Sequence, residues 1–487
     1  MALPLVRDVP GAPQPADLLE GLANEPWVTW LDTALPGEEW GRHSFLATDP
    51  FLVLRGRCGR AEWIGPRGVQ RARNGPFVEL AGALRRHRLT DRGDLPPFCG
   101  GAAGMFGYEL AAHLERIPEA GIRDVPTPDL EIGLYDLVVG WDHLEERCWL
   151  ASTGAPYAGD AAVRHAARRM RAALAWLDGG PPPAENRISR RGIGQVLSAT
   201  STPRTYPAPG APGLRSTFSR QGYRAAVRRA IEYIRAGDVY QVNLSQRFEI
   251  ASREEHTRLY RRLREASPAP FGVYFSASGY SVLSTSPERF LRATAGGSVQ
   301  TRPIKGTRPR DEDPEEDRRL AESLQSSVKD RAENLMIVDL LRNDLSRVCS
   351  PDSVRALDLF RVESFETVHH LVSTIEGRLS EERTPVDLLM ATFPSGSVTG
   401  VPKIRAMEII SELEPVARGP YCGALGYLGF AGDMDTSVSI RIAVADGERV
   451  TFHSGGAVVV DSDPAAEYEE TLDKARALVS AIPGIRR

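Results

Sequence analysis

The chain has 487 residues, with 60 Lys and Arg against 64 Asp and Glu and a formal net charge of −4. A balance this close supplies no field of one sign, so neither nucleic acid nor an anionic membrane is expected as a partner. Residues 1–25 lack a basic start followed by an apolar run, and no stretch reaches spanning length, so neither a signal peptide nor a transmembrane segment is expected.

Residues 1–178 form an N-terminal region of short β segments, Ser44–Ala47, Phe51–Arg55 and Ala61–Ile64, punctuated by Asp49-Pro50 and by Gly56 to Gly59. Gly100, Gly101, Gly104 and Gly107 predict strands that approach other backbone closely, and with no Lys-Ser/Thr after them they do not make a phosphate loop. A helix is predicted over Asp160–Leu177, with Val163, Ala167, Met170, Leu174 and Leu177 buried and its basic residues solvated. Residues 179–217, rich in Gly, Pro, Ser and Thr, read as a linker to a second region, 218–484. There a helix from Tyr223 stops at Gly237. Val239 to Ile250 then alternates as a half-buried strand, with Tyr240, Val242, Leu244, Phe248 and Ile250 on one face and Gln241, Asn243, Ser245 and Arg247 on a polar one. A later helix carries Glu333 beside a stripe of Leu335, Val338, Leu341, Leu345 and Val348. The last helix starts at Asp463-Pro464 and puts Glu467 and Glu470 on one face, where like charges repel unless a cation intervenes, although a Glu470–Lys474 pair is the simpler account. Mixed strands and helices give an α+β class, with antiparallel sheets backed by helices. Five scattered cysteines, Cys58, Cys99, Cys148, Cys349 and Cys422, without CxxC spacing point to reduced thiols in a cytoplasmic protein.

Thr301-Arg302-Pro303-Ile304-Lys305-Gly306-Thr307 sets one lysine between a proline and a glycine. As a nucleophile Lys305 needs a partly deprotonated amine, through desolvation or a neighbouring cation such as Arg302 or Arg308. Gly306 lets backbone N–H groups approach an anion. Alone, the segment is an ordinary solvated turn. The loop Pro394–Gly400, which contains Ser397, leads to a helix that Pro402 can start and offers unpaired N–H groups to an anion.

Five ordered blocks change that balance: Gly237–Phe248, Ser286–Phe290, Pro303–Thr307, Asp330–Leu345 and Pro394–Glu408. Together they resemble the chorismate-utilising family of anthranilate, aminodeoxychorismate, isochorismate and salicylate synthases, over roughly Ser219 to Ile482. The resemblance implies a large intertwined two-sheet antiparallel β-sandwich with flanking helices and a cleft on the C-terminal side. It implies Glu288 as the acid that protonates a departing ring hydroxyl, His370 beside that hydroxyl, and His369 as a structural neighbour. It puts Tyr427, Arg441 and the backbone of Gly455 and Gly456 on the enolpyruvyl carboxylate. The ring carboxylate falls to the backbone of Gly306 and Thr307 and to Mg²⁺ held by Glu333 and Glu470, with Glu467 as a third ligand. Gln241 stands where water-adding members carry a lysine base. Pro-Ile-Lys-Gly-Thr matches the aminodeoxychorismate branch, since anthranilate synthases usually carry alanine in place of Lys305. The implied reaction joins chorismate and ammonia into 4-amino-4-deoxychorismate, towards p-aminobenzoate and folate, through a Lys305 adduct. Ammonia is expected from a separate glutamine amidotransferase subunit. The alternatives are anthranilate synthase component I and a non-catalytic chorismate-binding regulatory protein. Thr33 and Pro270–Gly272 are candidates for an amino-acid pocket.

Overall fold

The short β segments of the N-terminal region extend into ladders in the computed structural model, which describes residues 4–37, 40–89, 95–119, 121–186, 188, 201–365 and 368–482. Leu52–Arg57 and Arg60–Gly65 form a hairpin whose two-residue turn, Cys58-Gly59, has positive φ at both positions, the geometry that suits strand twist. Among the described residues two sheets of 13 and 12 strands carry the fold, and every ladder in them is antiparallel. Val53, Met105 and Leu425 of one sheet meet Val273, Phe275 and Val444 of the other in a shared apolar cluster, so the class is the α+β sandwich expected.

Neither side of the linker owns a sheet. In one, Thr29–Asp32 pairs with Phe271–Ser276; in the other, Gly101–Phe106 pairs with Ala424–Gly429. The second junction explains Gly101, where a Cβ would lie 2.3 Å from the Leu428 carbonyl oxygen, while on Gly104 it would lie 2.4 Å from the Glu131 carbonyl oxygen of the strand on the other side. The largest apolar cluster likewise mixes Phe106 and Leu130 with Phe290 and Leu428. Residues 189–200 of the expected linker lie outside the described residues.

Three expectations from periodicity are corrected. Strand Gln241–Ala251 is buried on both faces, because Ser245 bonds Glu414 and Arg247 bonds Asp124 within the interior, while Tyr240 precedes the strand and is exposed. Helix Gly159–Leu177 buries Met170 and Leu177 as expected, but Val163 is exposed and Arg169 is fully buried between Asp49 and Asp136. Helix Val328–Ser346 exposes Leu335 and buries Asn334, which accepts a hydrogen bond from Ser373. Each miss has one cause, since buried polar partners replace apolar packing where both charges or both dipoles are satisfied.

Candidate active site

A β-bulge sets up the site. Strand Ile304–Pro309 pairs with Val368–Arg378, but the register slips between Ile304 and Thr307, so Lys305 and Gly306 are left off the ladder. Gly306 has φ +87°, and a bulge of this kind re-aims its side chains, here turning Lys305 into a cleft of about 650 Å³. Thr307 regains the register opposite His370, and its hydroxyl lies 2.9 Å from His370 Nδ1.

Around Lys305 the cleft collects Glu288, Glu333, Arg441, Glu467 and Glu470, with the strand backbone at Gly455 and Gly456. Burial lowers the Lys305 amine; Glu333 and Glu288 oppose that, while the nearby cation that assists it is Lys474. Arg302 and Arg308, the cations anticipated for this role, are committed elsewhere, to Glu363 and to Asp330. Glu288 follows the strand Ser281–Ser286, and its Oε1 accepts a 2.6 Å hydrogen bond from Ser397. Desolvation pushes its carboxyl up to about 7. His370 is driven down to about 3 by burial and by Arg441, which leaves a neutral imidazole. His369 points the other way, bonding Asp317 at 2.9 Å and Ser364 at 2.8 Å.

Arg441 adopts φ +50°, a conformation a non-glycine residue holds only when its surroundings impose it. Its guanidinium is desolvated and meets no carboxylate among the described residues, which leaves it free for an anion. On the opposite wall, Glu467 and Glu470 rise from the start of helix Pro464–Ala481, capped by Asp463. A Cβ on Gly456 would lie 2.9 Å from Glu467 Oε2 and 3.2 Å from Glu470 Oε1, so glycine leaves room for both carboxylates. Lys474 pairs with Glu470 at 2.6 Å and Lys329 with Glu333 at 4.0 Å. Among the described residues no three His, Cys, Asp or Glu side chains converge on a single point.

Two anticipated residues fall outside the cleft. Tyr427 lies within strand Ala424–Gly429, stacked on Phe98 at 4.3 Å, where it lines a separate cavity of about 190 Å³ together with Pro270, Phe271 and Gly272. Thr33 borders neither cavity. The tyrosine at the cleft is Tyr421, in the turn before strand Ala424–Gly429, where Cys422 N–H bonds the Ser439 carbonyl at 2.8 Å. Gln241 sits behind the cleft wall, fully buried and with neither amide atom hydrogen-bonded; Asn243, two residues along the same face, reaches the cavity instead.

Known proteins place the arrangement. The sequence matches the chorismate binding enzyme family over residues 43–480. It is 40% identical over 475 residues to aminodeoxychorismate synthase component 1 of Salmonella typhimurium, covering 97% of this chain and 96% of that one. Anthranilate synthase component 1 of Thermus thermophilus is 40% identical over 88% of this chain and 90% of its own. A crystal structure of anthranilate synthase component I from Streptococcus pneumoniae superposes with a TM-score of 0.75 at 30% identity, covering 91% and 93% of the two chains. With the match running through both sheets and the whole cleft, the chain belongs to the chorismate binding enzyme family.

Proposed function

We propose that this chorismate-utilising enzyme is the synthase component that converts chorismate and ammonia to 4-amino-4-deoxychorismate, with ammonia supplied by a separate glutamine amidotransferase subunit. The observation that carries the reading is Lys305: a desolvated amine with a lowered pKa, turned by a bulge into the cleft beside a carboxyl held up to about 7. One is equipped to attack and the other to donate a proton.

In this scheme the Lys305 amine attacks ring C2 while the C4 hydroxyl leaves as water, taking its proton from Glu288. Ammonia then attacks C4, the C2–nitrogen bond breaks with its electron pair returning to Lys305 as the neutral amine, and Glu288 regains its proton from the ammonium formed at C4. His370, neutral and fixed by Thr307, suits a hydrogen bond to the departing hydroxyl. Arg441, with Tyr421 lining the same cleft, suits the enolpyruvyl carboxylate.

The acidic wall offers Mg²⁺ its donors, although the three carboxylates must draw together to hold it. Carboxylates are the hard donors it takes, Glu467 Oε2 is buried with no hydrogen-bond partner, and Gly456 leaves a cradle beside it. Glu470 and Glu333 would complete the set once released from Lys474 and Lys329. Held by these residues, the ion would offset the charge of the ring carboxylate.

Anthranilate synthase component I is the second reading, favoured by relatives of that name at equal identity. Incubation with chorismate, Mg²⁺ and an ammonium salt, with the product identified by chromatography and mass, separates the two. Retention of the enolpyruvyl group in an aminated product is expected, whereas fluorescent anthranilate as sole product refutes the proposal.

A further inference from the structure

Among the described residues Asn243 is the one side-chain amide that lines the cleft. Its backbone is pinned on both sides: the N–H donates to the Thr399 carbonyl at 2.8 Å, and the carbonyl accepts from Arg418 at 2.6 Å. The side-chain Nδ2 donates to the Ser397 carbonyl at 2.7 Å. A carbonyl can only accept, so that bond fixes which way round the amide sits and turns Oδ1 away from the loop. Oδ1 accepts from no donor among the described residues. Ser397 also donates its hydroxyl to Glu288, so one residue holds the amide and the acid near each other.

We propose that Asn243 Oδ1 is the acceptor that holds ammonia for its attack on C4. The proposal rests on the amination reading above. Ammonia attacks with its lone pair facing the carbon, and one N–H accepted from another side sets that direction. The carboxylates of the cleft suit this task less, because a negative charge favours ammonium, which has no lone pair to offer. The Thr307 hydroxyl is already joined to His370. A neutral amide leaves the balance between ammonia and ammonium undisturbed. As the C4–nitrogen bond forms and the C2–nitrogen bond to Lys305 breaks, positive charge grows on the incoming nitrogen, and the negative end of the amide dipole meets it. The amide neither gains nor loses a proton; the one that the new C4 nitrogen sheds passes to Glu288. Because the backbone and Nδ2 of Asn243 are bonded before ammonia arrives, its oxygen needs little reorganisation when the reaction occurs.

Asn243→Val removes the acceptor with a residue that strands favour, and Asn243→Thr, of the same shape, returns an oxygen. In the full chain saturated with chorismate and Mg²⁺, the Val variant is expected to lower kcat/KM for ammonium at least about tenfold. The KM for chorismate should not change, and the Thr variant should recover part of the loss. Rapid quench with mass detection separates the two displacements. Without ammonium, the Val variant should form the Lys305 adduct, chorismate less one water, at the wild-type rate; once ammonium is added, it should consume that adduct at least about tenfold more slowly. A Val variant with the wild-type kcat/KM for ammonium overturns the assignment. Adduct formation slowed as much as consumption also overturns it, because the amide would then only brace the loop that holds Ser397 against Glu288. Both results leave the functional reading standing. Absence of aminated product from the wild-type chain overturns the functional reading and the assignment with it.

Discussion

Replacing Glu288 with Gln isolates the charge on which the proposed chemistry turns. Gln keeps a carbonyl oxygen for the 2.6 Å hydrogen bond from Ser397 but cannot ionise. Burial holds the Glu288 carboxyl at about 7 against an ordinary value of 4.5. Because the folded value lies above the unfolded one, the folded state binds this proton more tightly. The stability so gained is complete below about pH 4.5 and is lost as the pH rises through about 7. The gap between 4.5 and about 7, at about 1.4 kcal/mol per pH unit, comes to about 3 kcal/mol. Urea unfolding of wild type and Glu288→Gln at several pH values between about 5 and about 8 measures it. Any fixed cost of burying the amide cancels, so wild type should lose about 2.5 kcal/mol relative to the variant across that range. Turnover of wild type should decline above about pH 7 as the acid ionises, and the variant should be about 10²–10⁴-fold slower. A stability difference that stays constant with pH would refute the argument, because Glu288 would then be ionised or solvated throughout.

Lys305→Ala should abolish any covalent intermediate detectable by mass under rapid quench and reduce aminated product to background; product formed at the wild-type rate removes the adduct from the scheme. Arg441→Met should raise the KM for chorismate by about ten- to a hundredfold, the equivalent of about 1.5–3 kcal/mol for hydrogen bonds to a charged group, with a smaller change in kcat. Arg55→Met leaves Glu131, fully buried, without its 2.9 Å ion pair, and should cost about 3–5 kcal/mol in chemical denaturation. Gly101→Ala drives a Cβ against the Leu428 carbonyl, and since backbone cannot step aside there it should destabilise by about 1–3 kcal/mol, as overpacking does, without altering the cleft chemistry.

Much of the site was legible because its motifs are local. Lys305, Gly306 and Thr307 are contiguous, and the bulge that turns them inward uses the glycine between them. Glu467 and Glu470 share a helix face by spacing alone. What was lost depended on contacts distant in sequence. Tyr427 and Tyr421 lie six residues apart around one strand start, and only the folded structure shows that Tyr421 lines the cleft while Tyr427 lines the separate cavity. The short Pro420-Tyr421-Cys422-Gly423 turn was the available signal, since a tyrosine before a strand can leave the sheet whereas Tyr427 inside it cannot. Lys474 was visible only as an i,i+4 partner of Glu470, although in space it is also the cation beside Lys305. The alternation of Gln241–Ala251 predicts a half-buried strand, and Asn243 does reach the cleft, but nothing within the strand announces that Asp124 and Glu414 arrive from far along the chain to bury Arg247 and Ser245.

That both sheets are stitched across the chain has a consequence for how the protein is made. Strands such as Gly101–Phe106 emerge from the ribosome more than three hundred residues before Ala424–Gly429, the segment that closes their open edge. Through that interval the nascent polypeptide carries unpaired edges and apolar surface that nothing yet covers. Loop closure over such separations is slow, and uncovered edges are sticky. Yield in a heterologous host should therefore respond to chaperone supply and to lowered growth temperature, and truncations that stop short of residue 424 should accumulate as aggregate rather than as a smaller folded unit.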